Sequence, residues 1–133
     1  MHRLGILLAD VLPRPSLVTL SGELGAGKSV LARSIIHALG YTGRVKSPTY
    51  TLLESYDTVD AKGNSWQIAH MDLFRLTDPE ELDYLGFDDV IRDHDLVLVE
   101  WPDKGGDRIP AAHLHIEIRY AGEDSRRVVF TVP

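Results

Sequence analysis

The run Gly22-Glu23-Leu24-Gly25-Ala26-Gly27-Lys28-Ser29 has the spacing G-x-x-x-x-G-K-[ST]. Glycines at those places let successive backbone N–H groups turn inward as an anion nest, and the positive end of a following helix extends it. Lys28 is then expected to reach the β- and γ-phosphates of a nucleotide. Ser29 is expected to offer its hydroxyl to Mg²⁺, a hard cation that takes oxygen ligands and shares them with phosphates. The pattern predicts nucleotide binding and leaves the reaction open.

Such a loop calls for an acid at the end of a neighbouring strand, because the cation needs a second anchor and an attacking water needs orientation. Glu100 ends the apolar run Leu96-Val97-Leu98-Val99, and Asp72 follows the strand-like Trp66–Met71. Either can be the metal-side acid, with the other positioning water. The [NT]-K-x-D segment that reads guanine has no match; Asp103-Lys104-Gly105-Gly106 lacks both defining ends. Adenine is the expected base. His113-x-His115 lacks a third ligand and reads as a solvated pair rather than a metal site.

These groups need elements to hold them. Leu4, Leu7, Leu8, Val11 and Leu12 recur at helical spacing until Pro13 and Pro15, which predicts a short amphipathic helix. Leu17–Ser21 reads as a strand that feeds the glycine-rich turn. Leu31, Ile35 and Leu39 mark the buried stripe of the next helix, with Gly40 as a left-handed cap. Tyr41–Thr51 reads as a loop poor in apolar anchors, and residues 52–71 as a hairpin about Lys62-Gly63-Asn64. Asp78-Pro79-Glu80-Glu81 predicts a capped helix start, with an end near Leu85 at Gly86. Leu96–Val99 has the continuous apolar character of a strand buried on both faces. From 113 to 120, Leu114, Ile116, Ile118 and Tyr120 alternate with His113, His115, Glu117 and Arg119. Arg126–Val132 then completes a terminal hairpin. The expected fold is α/β: a central sheet of the P-loop NTPase kind flanked by helices, with a C-terminal antiparallel β-hairpin.

The 133 residues suit a single domain spanning 1–133. Fourteen Lys and Arg against twenty Asp and Glu give a formal net charge of −6, which disfavours autonomous nucleic-acid binding driven by counterion release. Cysteine is absent, which removes thiolate nucleophiles and disulfide frameworks. No apolar run approaches a membrane span, and the expected compartment is the cytoplasm.

Beyond the phosphate loop, V-K-S-P-T-Y-T at 45–51, H-M-D-L-F-R at 70–75, D-P-E-E-L at 78–82 and V-E-W-P at 99–102 follow in an order and spacing that resemble one family over about Leu4 to Trp101. That family comprises the small bacterial ATPases required for threonylcarbamoyladenosine modification of tRNA, often called TsaE. The resemblance implies that Lys28 and Ser29 serve the phosphates and Mg²⁺, that Thr49 senses the γ-phosphate from a switch-like loop, and that Asp72 is the acid needed for hydrolysis. It implies further that Glu100 completes the Mg²⁺ shell and that Trp101 lies beside the site. The expected ATP-contacting set is Gly22, Glu23, Leu24, Gly25, Ala26, Gly27, Lys28, Ser29, Val30, Thr49 and Trp101; the expected catalytic set is Lys28, Asp72 and Glu100. The implied partners are the threonylcarbamoyl-transferase subunit and its paralogous companion, with tRNA engaged only through them. Two departures stand out: the chain starts almost at its first helix, and Ser29 replaces the more usual Thr.

A small-molecule kinase and a nucleotide-sensing adaptor also use phosphate loops. The kinase would need an arginine-bearing lid, for which Arg75, Arg92 and Arg108 are the candidates.

Overall fold

A computed structural model of the chain describes residues 1–49 and 51–133. Helix α1 (His2–Val11) leads into strand β1 (Ser16–Gly22), the glycine-rich loop and helix α2 (Lys28–Ala38). Strands β2 (Leu53–Val59) and β3 (Ser65–Asp72) follow, then helices α3 (Glu81–Leu85) and α4 (Phe87–Asp93), and strand β4 (Leu96–Glu100). A 3₁₀ segment (Pro102–Arg108) precedes β5 (Leu114–Tyr120) and β6 (Arg126–Thr131). The six strands form one sheet in the order β2-β3-β4-β1-β5-β6. Its four inner strands are parallel, and each outer strand returns antiparallel to its neighbour. This is the expected α/β sheet with its C-terminal hairpin.

The alternation along each strand sorts the core into two layers. Val18, Leu20, Ile68, Leu96, Leu98, Ile116 and Ile118 pack against Leu31, Ile35 and Ile36 of α2 and Leu8 of α1. On the other face Leu17, Ala69, Met71, Val97 and Val99 meet Leu82, Phe87 and Val90 of α3 and α4. Strand β4, buried at every residue, lies between β3 and β1, as its unbroken apolar run predicts.

Helix α2 ends as expected. Gly40 has φ +110°, and a Cβ there would stand 2.0 Å from the Val59 carbonyl oxygen, so the position demands glycine twice over. The Asp78 cap also forms: its Oδ1 accepts from the Glu80 N–H at 2.9 Å, while Glu81 Oε2 accepts from the Asp78 N–H at 3.2 Å. Regular α-helix begins only at Glu81, since the first turn is bonded i to i+3.

Three expectations change. The buried stripe of α1 is not the full leucine set: Leu8 is buried and Leu4 and Leu12 partly so, but Leu7 and Val11 are 63% and 70% exposed. Gly5 faces Ser34 instead, because only a residue without a side chain admits the close crossing of α1 over α2. Helix α4 has no counterpart among the sequence expectations; seven residues with Asp88 and Asp89 in the first turn carry too little periodicity to be seen. The loop after α2 is better anchored than its composition suggested. Val45 is buried, Tyr41 packs edge-on against Tyr56 at 4.7 Å, and the Lys46 N–H donates to the Tyr56 hydroxyl at 3.0 Å. Its anchor comes from β2, a partner outside any local window. Tyr50, part of the expected switch segment, lies outside the described residues.

Candidate functional site

Strands β1, β4 and β3 run parallel and end level with one another: Leu20 is paired with Glu100, and Glu100 with Asp72. Side chains two apart share a face, so Ile68, His70 and Asp72 of β3 lie on the α2 side together with Leu98 and Glu100 of β4. The glycine-rich loop leaves β1 at that same edge and turns into the start of α2. A cleft of about 280 Å³ opens there, lined by Leu24, Gly25, Gly27, Lys28, Ser29, Val30, Thr49, Asp72, Phe74, Glu100 and Trp101.

Lys28 is only 4% exposed. Its ammonium donates to the Gly22 and Glu23 carbonyls at 2.6 and 2.9 Å and lies 4.4 Å from the centre of the Trp101 ring. Burial pulls its pKa below the ordinary lysine value of 10.5, while the Glu100 and Asp72 carboxylates oppose that shift. Ser29 donates its hydroxyl to Glu100 Oε1 at 2.9 Å. The other oxygen of Glu100 accepts from His70 Nε2 at 2.6 Å, within a pair that is 1% and 2% exposed. Asp72 accepts from the Thr49 hydroxyl at 3.1 Å and from the Phe74 N–H at 3.0 Å. Trp101 has φ +57°, an uncommon conformation for a side chain of its size, held by its N–H bond to the Leu20 carbonyl at 3.1 Å. Its ring rests on Phe74, 5.1 Å away between centroids.

The three carboxyl-edge strands thus bring Lys28, Ser29, Thr49, Asp72, Glu100 and Trp101 to one cleft. Gly22, Glu23 and Ala26 form the back of the loop and do not line it. Gly22 serves by close approach: at φ +145°, a Cβ would meet the Ile118 carbonyl oxygen at 2.3 Å. From outside, Arg126 Nε donates to the Ala26 carbonyl at 3.2 Å, and the Tyr120 hydroxyl donates to that of Leu24 at 3.4 Å. The terminal hairpin therefore holds two carbonyls of the glycine-rich loop.

The site residues missed in the sequence are His70, Phe74, Tyr120 and Arg126. Only His70 had a local signal, since it lies two residues before Asp72 on one strand. His113, exposed as expected of a solvated pair, and the half-buried His115 are both also tied to β1. His113 Nδ1 accepts from the Leu17 N–H at 2.9 Å, and His115 meets the Thr19 and Ser21 hydroxyls at 2.6 and 3.0 Å. Arg92 pairs with Asp89 and Asp93, and Arg108 with Asp83 and Asp107; neither lines the cleft.

The hydroxyl of Ser29 and the carboxylate of Glu100 are oxygen donors, the kind that a hard cation takes. Ser29 Oγ and Glu100 Oε1 lie 2.9 Å apart and would be the oxygens to hold such a cation. Among the described residues no cluster of three or more His, Cys, Asp or Glu forms a cage. One or two protein oxygens suffice for Mg²⁺ when phosphates supply the rest.

Comparison with known proteins agrees with this architecture. The family model described as Threonylcarbamoyl adenosine biosynthesis protein TsaE matches residues 1–128. The chain is 38% identical to the tRNA threonylcarbamoyladenosine biosynthesis protein TsaE of Haemophilus influenzae, over 96% of this chain and 80% of that one. It is 35% identical to the protein of the same name from Bacillus subtilis, over 86% and 68%. The crystal structure of Bacillus subtilis YdiB superposes with a TM-score of 0.78 at 29% identity, covering 98% of this chain and 77% of that one. With this fold, and with a family match running through the phosphate loop and both strand-end acids, the chain belongs to the TsaE family.

Proposed function

We propose that the chain binds ATP with Mg²⁺ in this cleft and hydrolyses it in support of tRNA N6-threonylcarbamoyladenosine formation. It would act in the cytoplasm as an accessory to the threonylcarbamoyl-transferase subunit and its paralogous companion, meeting tRNA only through them. The observation that carries this reading is the convergence of Lys28, Ser29–Glu100 and Thr49–Asp72 at one end of the sheet. The names of the relatives supply the tRNA-modification setting. Among the described residues no helix is long and apolar enough to cross a membrane.

In this mechanism the backbone N–H groups of the loop and the start of α2 receive the phosphates, and Lys28 exchanges its carbonyl partners for β- and γ-phosphate oxygens. Ser29 and Glu100 would hold Mg²⁺, which when bound would offset charge on the phosphate oxygens. Asp72 orients the water whose oxygen attacks the γ-phosphorus as the bond to the β–γ bridging oxygen breaks. ADP leaves with that electron pair, and the water's proton passes to the released phosphate. Thr49, bonded to Asp72, contacts the γ-phosphate. Trp101, against both Lys28 and Phe74, reports occupancy through its fluorescence. Among the described residues Lys28 is the single cation that lines the cleft, so a partner that adds positive charge or reorders the Thr49 segment would raise turnover.

Against the kinase alternative, neither Arg92 nor Arg108 lines the cleft, and each pairs with aspartates away from it. The test is phosphate release by the chain alone and with the transferase pair and tRNA, each with and without Mg²⁺. Slow Mg²⁺-dependent release that the pair accelerates is expected. Release that occurs only with a small hydroxyl acceptor would favour the kinase, and binding without release under any condition would favour the adaptor.

A further inference from the structure

We infer that His70 is a positioning residue that selects which oxygen of Glu100 faces the cleft. This inference rests on the ATP–Mg²⁺ reading of the site. The terminal torsion of a glutamate is broad and roughly two-fold, so the side chain alone does not choose between its oxygens. Here the choice is made from behind: His70 Nε2 donates to Oε2 at 2.6 Å, which leaves Oε1 forward against Ser29. The imidazole reaches Oε2 because β3 lies next to β4 with Asp72 opposite Glu100, placing His70 one pleat back on the same face.

The other ring nitrogen identifies the purpose. His70 Nδ1 is buried and has no hydrogen-bond partner among the described residues. A residue kept for packing alone would carry no such nitrogen, since an unpaired buried polar atom costs stability. Among the described residues the imidazole's hydrogen bond is the one to Glu100. Outer partners of this kind fix the orientation of a ligating carboxylate, and their loss characteristically weakens metal binding by 10- to 100-fold.

That single-bond role predicts which substitution rescues. Glutamine places an N–H near the position of Nε2 and dispenses with Nδ1, whereas leucine fills space without a donor. The experiment uses the full chain with His70→Gln, His70→Leu and Glu100→Gln. Mg²⁺ is titrated at fixed ATP and read by Trp101 fluorescence, ATP affinity is measured separately in EDTA, and melting curves are recorded for each. His70→Leu is expected to raise the half-saturating Mg²⁺ concentration about tenfold, while His70→Gln stays within about threefold of the parent and ATP affinity in EDTA is unchanged in both.

A leucine variant with parental Mg²⁺ dependence would overturn the inference, as would equal displacement in the leucine and glutamine variants. Should His70→Leu fail to fold, a glutamine variant displaced as far as Glu100→Gln overturns it by itself. No Mg²⁺ response in the parent would instead overturn the ATP–Mg²⁺ reading. A parental response untouched at His70 overturns this inference alone.

Discussion

Two regions of the molecule each gather hydrogen bonds onto a carboxylate, to different ends. At the carboxyl edge of the sheet, Glu100 accepts from Ser29 and His70, and Asp72 accepts from Thr49 and a backbone N–H. In the turn between β2 and β3, Asp60 accepts from the N–H groups of Lys62 and Asn64 and from the Trp66 indole. The partners of Asp60 close a hairpin and fasten a buried tryptophan. Most partners at the sheet edge are side chains that can equally serve a phosphate, a metal ion or a water. A carboxylate's function is read from what its partners could otherwise bind, more than from its own burial.

That contrast is open to direct challenge. The largest effects belong at the edge: Asp72→Asn or Glu100→Gln should lower ATP hydrolysis by about 10²–10³-fold while ATP binding changes only a few-fold, because orientation and charge compensation matter most in the transition state. Single-turnover phosphate release beside Trp101 titrations separates the two quantities. If both variants hydrolyse like the parent, the edge is no more catalytic than the turn. Next, Lys28→Ala should weaken ATP binding about 100-fold or more, since two charge-assisted contacts to phosphate are lost at about 1.5–3 kcal/mol each. Circular dichroism should show the fold retained.

At the turn the pattern should invert. Asp60→Ala should lower the melting temperature by a few degrees and leave ATP affinity and turnover unchanged. The smallest effect is with pH. The Trp66 indole, then the Asn64 amide, hold the Asp60 carboxyl below its ordinary value of 3.8. A depressed carboxyl contributes stability that is fully present above that value and is lost as pH falls through the lower folded one. The Trp66 indole N–H resonance should therefore titrate below 3.8 and keep its neutral-pH position above it. A midpoint at or above 3.8 would place the indole bond outside the turn's stabilisation.

The two regions also differ in how far they could be read from the chain. Lys62-Gly63-Asn64 announces its turn within three residues, and Asp60 lies just before it. The phosphate loop is likewise local: eight consecutive residues set the nest, the lysine and the hydroxyl. The acids were visible as strand ends, but their division of labour was not. His70 stood in view two residues before Asp72 without showing its partner.

Glycine spacing, apolar periodicity and capping pairs act over a few residues, and they alone determined the helices that frame the site, the inner strands and the position of each acid along its strand. Which strands are neighbours is decided by burial of whole faces, and no local window contains that information. Placing β4 between β1 and β3 brought Glu100 to Ser29 across 71 residues and to His70 across 30. Folding the last hairpin back onto β1 brought Arg126 to the Ala26 carbonyl across 100. The sequence supplied the groups that could hold a phosphate; only the packed sheet set one Glu100 oxygen against Ser29 and the other against His70, because those partners come from different elements.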